Sequence, residues 1–313
     1  SRSLAFKDGF LGLRTLTVLK DSVKNIKASR GIDVDIDHID FNDKGTLDFI
    51  GTGKTEGVFQ LESAGMQSFM KELSPQSFED IVAGISLYRP GPMDFIPNYI
   101  KGKNNPKEIS YVTPELESIL EPTYGCIVYQ EQVMQIVQKL AGYTMGQADN
   151  IRRAMSKKKQ YVIDAERQSF VYGDEERGIK GCVANGISEK VANEIYDEMS
   201  SFASYAFNKS HAACYAYVAF QTAYLKCHYP SEFMAALLTS VLDNTGKVIE
   251  YSGECARLGI KVLPPDINIS GSGFTARGQW PDPFWSECRK KCRHPADRAL
   301  RRGASGKALY QPV

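Results

Sequence analysis

Glu131-Gln132-Val133-Met134-Gln135-Ile136-Val137-Gln138-Lys139-Leu140 is the stretch on which the fold class turns. Val133, Ile136, Val137 and Leu140 fall on one face of a helix, and the glutamines and Lys139 cover the rest. Just upstream, residues 126–129 form a short apolar run that reads as a buried strand or extended segment. Downstream, the same helical period predicts helices over 146–155, 161–170, 188–202, 210–228, 231–242 and 246–258. Ser188 and Ser231 are placed as N-caps, because a serine oxygen there can accept from an orphan amide of the first turn. A glycine-rich charged loop spans 173–186.

Towards the N-terminus, residues 11–28 read as a helix carrying Leu13, Leu16, Val23 and Ile26. An acidic connector follows over 33–43, and Val58-Phe59-Gln60-Leu61 reads as a strand entering a helix at Ser63. A helix over 76–88 stops at Arg89-Pro90-Gly91-Pro92, where two prolines forbid continuation. No repeat or heptad array occurs. The fold class is mainly α with a few short strands.

The chain has 313 residues, 42 % of them hydrophobic, with 38 Lys+Arg against 37 Asp+Glu. This excludes disordered, collagen-like and membrane classes, and the length allows about two domains. The longest apolar stretch, 212–224, is broken by Gln221 and falls short of the roughly 20 residues a bilayer needs. No membrane partner is expected, no charged-then-apolar leader opens the chain, and a cytoplasmic location follows as an expectation. The chain begins at Ser1 without Met, as a fragment would. Seven scattered cysteines, three of them (Cys126, Cys214, Cys227) in apolar or aromatic surroundings, read as reduced thiols packed as small hydrophobes.

The charge is uneven. Residues 277–313 hold nine Lys+Arg against three Asp+Glu, and residues 1–276 hold 29 against 34. With a mildly acidic body, contact to nucleic acid has to come from local basic clusters. Both tryptophans and several prolines fall after Gly273, and no apolar period survives there. That segment reads as unfolded or non-native.

Three patterns resemble sites and are better explained otherwise. Gly51-Thr52-Gly53-Lys54-Thr55 has the ending of a phosphate loop, but Asp48 stands where the first glycine belongs and no strand precedes it. Asp33, Asp35 and Asp37 alternate as on a strand, yet read as a solvated connector. Cys288, Cys292 and His294 give three ligands where structural zinc takes four.

Four segments carry more chemistry. Arg152 and Arg153 lie on a predicted helix and are followed by Lys157, Lys158 and Lys159. Guanidinium forks match phosphate oxygens, and the lysines add point charge; a solvated helix end is the plain alternative. Asn208-Lys209-Ser210-His211 stands at the mouth of a long apolar helix. There Asn208 or Ser210 can cap, and the first amides favour an anion. Arg89 is presented by a rigid turn, and Tyr129-Gln130-Glu131-Gln132 crowds polar groups at a helix start; capping and turn chemistry is the plain alternative for both.

Taken in order, these segments resemble a known family. The matching stretches are Phe10-Leu11-Gly12-Leu13-Arg14-Thr15-Leu16-Thr17, Gly57-Val58-Phe59-Gln60-Leu61-Glu62-Ser63, and residues 88–92, 121–125, 129–136, 152–159, 207–213 and 263–268. The chain is similar to the C family of bacterial replicative DNA polymerases, the polymerase III alpha subunits, over about residues 4–275.

The resemblance implies the C-terminal edge of a palm domain over 1–30, a fingers domain over 31–273 and an unmatched tail over 274–313, where a frame shift would account for the change of composition. It implies template-directed DNA synthesis by nucleotidyl transfer, with two Mg2+ ions held by three palm aspartates. Two of those would precede Ser1. The third corresponds to Asp8, one place early in Lys7-Asp8-Gly9-Phe10, so that a bulge at Gly9 would have to absorb the shift. By motif, Arg152, Arg153, Asn208, Lys209, Ser210 and His211 would bind the nucleotide. Arg89, Tyr129, Gln130, Glu131, Lys157 and Lys158 would support nucleotide or DNA. The implied partners are primer–template DNA, deoxynucleoside triphosphates and, in the complete enzyme, the sliding clamp and other replisome subunits. The alternative is a polymerase fragment that binds nucleotide and DNA weakly and does not polymerise.

Overall fold

The computed structural model describes residues 13–157, 160–203, 206–264, 272–277 and 286–289. Among these, the helices run in order α1 Arg14–Arg30, α2 Lys44–Gly51, α3 Ala64–Leu73, α4 Phe78–Leu87, α5 Ile96–Asn104, α6 Glu117–Leu120 and α7 Gln130–Ala141. They continue with α8 Met145–Ser156, α9 Gln160–Tyr172, α10 Glu189–Ala203, α11 Lys209–His228, α12 Pro230–Ser240 and α13 Thr245–Arg257. Three short strands follow, β1 Ile260–Leu263, β2 Thr275–Arg277 and β3 Ser286–Arg289. The fold is mainly α, as the helical periods require. Among the described residues no helix is long and apolar enough to cross a membrane.

The chain forms two compact units. One comprises Ile50–Gly53 and Ala64–Tyr217; the other comprises Ser1–Phe49, Lys54–Ser63 and Val218–Val313.

The first unit is built around α7. Val133, Ile136, Val137 and Leu140 are buried, and they belong to one core with Ile151 of α8, Phe170 of α9 and Ile195, Tyr196 and Met199 of α10. Burying that apolar stripe fixes the packing, since each large aliphatic side chain removed from water contributes about 1.5–3 kcal/mol. The start of α7 is locked by Gln132. Its side-chain oxygen accepts from the amides of Val128 and Tyr129 at 2.8 and 2.9 Å. Its side-chain nitrogen donates to Ile119 O and Thr123 Oγ1 at 3.2 and 2.7 Å. All the polar capacity of this buried amide is met. Gly142, at φ 77°, ends the helix in the left-handed conformation that glycine adopts most readily.

Asp80 is a second fixed point of this unit. Buried in α4, it accepts from the amide of Gln76 at 2.9 Å and pairs with the Lys103 ammonium at 3.4 Å. The hydroxyls of Tyr99 and Tyr124 donate to its other oxygen at 3.4 and 3.3 Å. Lys103 also donates to the carbonyls of Leu73 and Ser74, so α3, α4 and α5 meet at one charged knot.

In the second unit, Val18, Leu19 and Ile26 of α1 share a core with Phe233, Met234 and Leu238 of α12 and Tyr251 of α13. Arg30 clamps the buried carboxylate of Glu232 with two bonds, at 2.7 and 2.9 Å. Lys226 is fully buried. Its ammonium donates to Glu254 at 2.6 Å and to the carbonyls of Lys54 and Glu56 at 3.0 and 2.7 Å. The strands make one sheet in the order β1-β3-β2, with β1 parallel and β2 antiparallel to β3. Phe274, β2 and β3 belong to the stretch 274–313; the remainder of that stretch, with the side chains of Cys288, Cys292 and His294, lies outside the described residues.

Several local expectations are corrected. Residues 58–61 are not a strand. Val58 N donates to Thr55 O and Leu61 N to Val58 O, making consecutive turns with Gly57 and Gln60 at φ 76° and 62°. The apolar run is there because Val58 and Leu61 are buried, not because they pair in a sheet. Ser231 is not a cap: Pro230 opens α12, and Ser231 is buried in its first turn. Ser188 does cap, accepting from Val191 N at 3.3 Å. Cys214 is exposed, whereas Cys182 and Cys255 are buried and burial pushes both thiols up to about 12. Residues 51–53 are the turn that closes α2, with Gly53 N donating to Ile50 O. In the acidic connector, Asp35 caps a 3-10 turn at Asp37 N, and Asp33 pairs with Lys27.

Candidate functional site

Two segments far apart in sequence pair at one place in the first unit. The extended run into Tyr129 bridges Phe207: Phe207 N donates to Val128 O at 3.2 Å, and Gln130 N donates to Phe207 O at 3.0 Å. This brings the start of α7 against the start of α11.

Asn208 is the N-cap of α11, its side-chain oxygen accepting from His211 N at 2.8 Å. Its side-chain nitrogen donates to Glu131 at 2.9 Å. Both oxygens of Glu131 accept from Lys209 N, at 3.1 and 3.0 Å. The anion at this helix N-terminus is therefore a carboxylate of the chain itself. The Lys209 ammonium reaches Glu79 at 3.0 Å and stands 5.3 Å from the centre of the Tyr129 ring. Ser210 is exposed on the first turn. His211 lies between aromatic rings, 5.3 Å from Phe207 and 4.4 Å from Tyr215. The Arg89 guanidinium lies 4.0 Å above the Phe207 ring, a cation–π contact.

Tyr129 is buried, and among the described residues its hydroxyl has no hydrogen-bond partner. Burial, reinforced by the nearby Glu79 and Glu131, pushes this phenol far above its ordinary range.

The basic helix α8 joins the same place. Asp149 Oδ1 accepts from Arg152 Nε and Nη2 at 2.9 and 2.7 Å. Asp149 Oδ2 pairs with Arg153 Nε at 2.7 Å. Arg152 Nη1 donates to Gln130 Oε1 at 2.9 Å, and Gln130 Nε2 donates to Ala206 O at 3.0 Å. The hydrogen bond from Arg152 and the charge of both arginines hold the Asp149 carboxyl below the usual aspartate range. Arg152 is 25 % exposed and Arg153 64 %. Lys157 is exposed at the end of α8, its amide on the Arg153 carbonyl at 3.1 Å. Lys158 and Asp8 lie outside the described residues.

The geometry thus gathers Arg89, Tyr129, Gln130, Glu131, Arg152, Arg153 and Asn208–His211 on one unit. Two members were absent from the sequence reading. Asp149 had a signal, standing three and four residues before the arginines. Glu79 had none, since only the fold brings it to Lys209. Most cations here are matched by carboxylates. Of the two arginines, Arg153 has the more exposed side chain. Among the described residues no three His, Cys, Asp or Glu side chains are grouped to hold a metal ion.

The family described as the bacterial DNA polymerase III alpha subunit finger domain matches residues 15–178. Curated relatives named DNA polymerase III subunit alpha are similar over most of the chain. That of Mycobacterium tuberculosis (strain H37Rv) is 47 % identical over 279 residues, covering 87 % of this chain and 23 % of the relative. That of Thermus aquaticus is 46 % identical over 278 residues, covering 87 % and 22 %. That of Bacillus subtilis (strain 168) is 46 % identical over 269 residues, covering 86 % and 23 %. The chain spans about a quarter of the length of these relatives.

Proposed function

Because the chain belongs to the bacterial DNA polymerase III alpha subunit finger family, we propose that it supplies the fingers of a replicative DNA polymerase and holds the polyphosphate of the incoming deoxynucleoside triphosphate. The observation that carries this is the meeting of three sequence motifs on one unit, with the Arg153 side chain largely exposed beside them. A guanidinium fork matches two phosphate oxygens at once, and the transfer reaction needs cations besides the metals to steady the developing charge. Arg89 and the exposed Lys157 would face nucleotide or primer–template DNA. Contacts to DNA would be mainly to its backbone, since a replicative enzyme cannot depend on sequence. In the complete enzyme the partners would include the sliding clamp and other replisome subunits, in the cytoplasm.

The Mg2+ ions implied by this chemistry have no ligand set among the described residues, and the residues discussed would bind and orient the nucleotide.

Nucleotide titration at fixed low salt tests the proposal. Each charge-assisted contact contributes about 1.5–3 kcal/mol, so Arg153→Ala should weaken binding of dATP about tenfold to a hundredfold. Equal affinity in the two proteins would refute it.

A further inference from the structure

Resting on the polyphosphate role of Arg153, we propose that Asp149 is a positioning residue which, with Gln130, sets the two guanidinium groups into a fixed clamp. A carboxylate beside an anion-binding arginine has an obvious cost, because it cancels one positive charge where a polyphosphate would sit. Its geometry explains its presence. Asp149 stands three and four residues before Arg152 and Arg153, so both fall on its side of α8. Each of its oxygens takes one arginine: Oδ1 takes Nε and Nη2 of Arg152, and Oδ2 takes Nε of Arg153. Arg153 meets the carboxylate through Nε, and its side chain stays 64 % exposed. A free arginine side chain would lose far more rotamer freedom on gripping a phosphate.

Gln130 fixes the other end of Arg152. Its amide orientation follows from donor and acceptor chemistry. Arginine only donates and a carbonyl only accepts, so the side-chain oxygen must face Arg152 Nη1 and the nitrogen Ala206 O. A flipped amide would set donor against donor and acceptor against acceptor. Arg152 is thereby tied to α7 and to the segment that opens α11. Arg152 then holds the frame, and Arg153 makes the contact.

The proposal and its alternative predict opposite signs. If Asp149 only lowers the local charge, Asp149→Asn raises the net charge by one and strengthens binding of an anion. If Asp149 positions, Asp149→Asn loses the second acceptor oxygen and weakens binding. The experiment is titration of the full chain with dATP at fixed low salt, for wild type, Asp149→Asn, Asp149→Glu and Arg153→Ala, with thermal unfolding of each. The expected result is a loss of about tenfold for Asp149→Asn. Asp149→Glu, which keeps two oxygens on the same helix face, should return to within about threefold of wild type. Equal or tighter binding by Asp149→Asn overturns the proposal, as does a loss that Asp149→Glu fails to restore while remaining folded. If Arg153→Ala binds like wild type, or wild type does not bind, the polyphosphate reading falls first. A weakened Arg153→Ala beside an unaffected Asp149→Asn removes only the positioning role.

Discussion

Glu131 receives the backbone amide of Lys209 on both of its carboxylate oxygens, at 3.1 and 3.0 Å. The motif at the start of α11 is thereby held by a neighbour instead of standing open as an anion pocket. The first-turn amides that the sequence offers to phosphate are partly engaged already, which is why the proposal puts the polyphosphate on side chains of α8.

Glu131→Ala should cost about 1–2 kcal/mol of stability, the usual value of a carboxylate at a partly buried helix N-terminus. Glu131→Gln should cost roughly half of that, because the amide oxygen still accepts but carries no charge. Urea unfolding of the three proteins measures this; an unchanged midpoint would mean that the contact adds nothing.

The arginine effect should not depend on the base. Loss of affinity in Arg153→Ala should match for dATP, dCTP, dGTP and dTTP, because a phosphate contact carries no sequence information. Arg153→Lys should recover only part of the affinity, since a point charge replaces a two-pronged fork. A base-dependent loss would move Arg153 away from the polyphosphate.

The buried pair of Lys226 and Glu254 predicts an acid-sensitive step. Burial on its own pushes the Glu254 carboxyl up, but the hydrogen bonds and charges of Lys226 and Arg257 outweigh it and hold it below the usual glutamate range. A carboxyl lowered by folding contributes stability that is complete above its unfolded pKa of about 4.3 and is lost as pH falls below that value. Melting temperature followed from pH 7 to pH 3 should fall over this range in wild type. Glu254→Gln should start lower at pH 7 and fall less steeply. Parallel curves would exclude Glu254 as the source.

Asp80→Ala should be among the most damaging single changes in the first unit, at about 3–5 kcal/mol. It leaves the Lys103 ammonium buried with carbonyls alone and strands the hydroxyls of Tyr99 and Tyr124. Chemical denaturation measures the loss, and a cost below about 1 kcal/mol would show that water takes the place of the carboxylate.

What could be read from the sequence was mostly helix. The helices α1, α4, α7 and α10–α13 could be read from their apolar periods or long apolar runs, but the face of α1 was only partly right: Leu13 and Leu16 are exposed, and Val18, Leu19 and Ile26 are the buried ones. α2 is too short, at eight residues ending in a glycine turn, for its apolar period to stand out. Residues 58–61 misled for the opposite reason: an apolar run reports burial and cannot tell a strand from turns. Within the site, the placement of the two arginines on one helix and a cap at Asn208 or Ser210 were legible, since that chemistry is local; the structure makes Asn208 the cap. That Arg152 reaches Gln130, and Lys209 reaches Glu79, depends on the path of the chain between them.

The bridge from Tyr129 to Phe207 also sets an order of assembly. It joins residues 78 positions apart, and Glu131 meets Asn208 across 77. Closing a loop of that length is entropically costly until α7, α8, α9 and α10 have packed, whereas Asp149 meets its arginines within one turn of helix. The basic helix can form from local contacts, whereas the pairing of the α7 and α11 starts needs the intervening helices in place. Substitutions at Gln130 should register mainly in the rate of unfolding, with little change in the rate of folding.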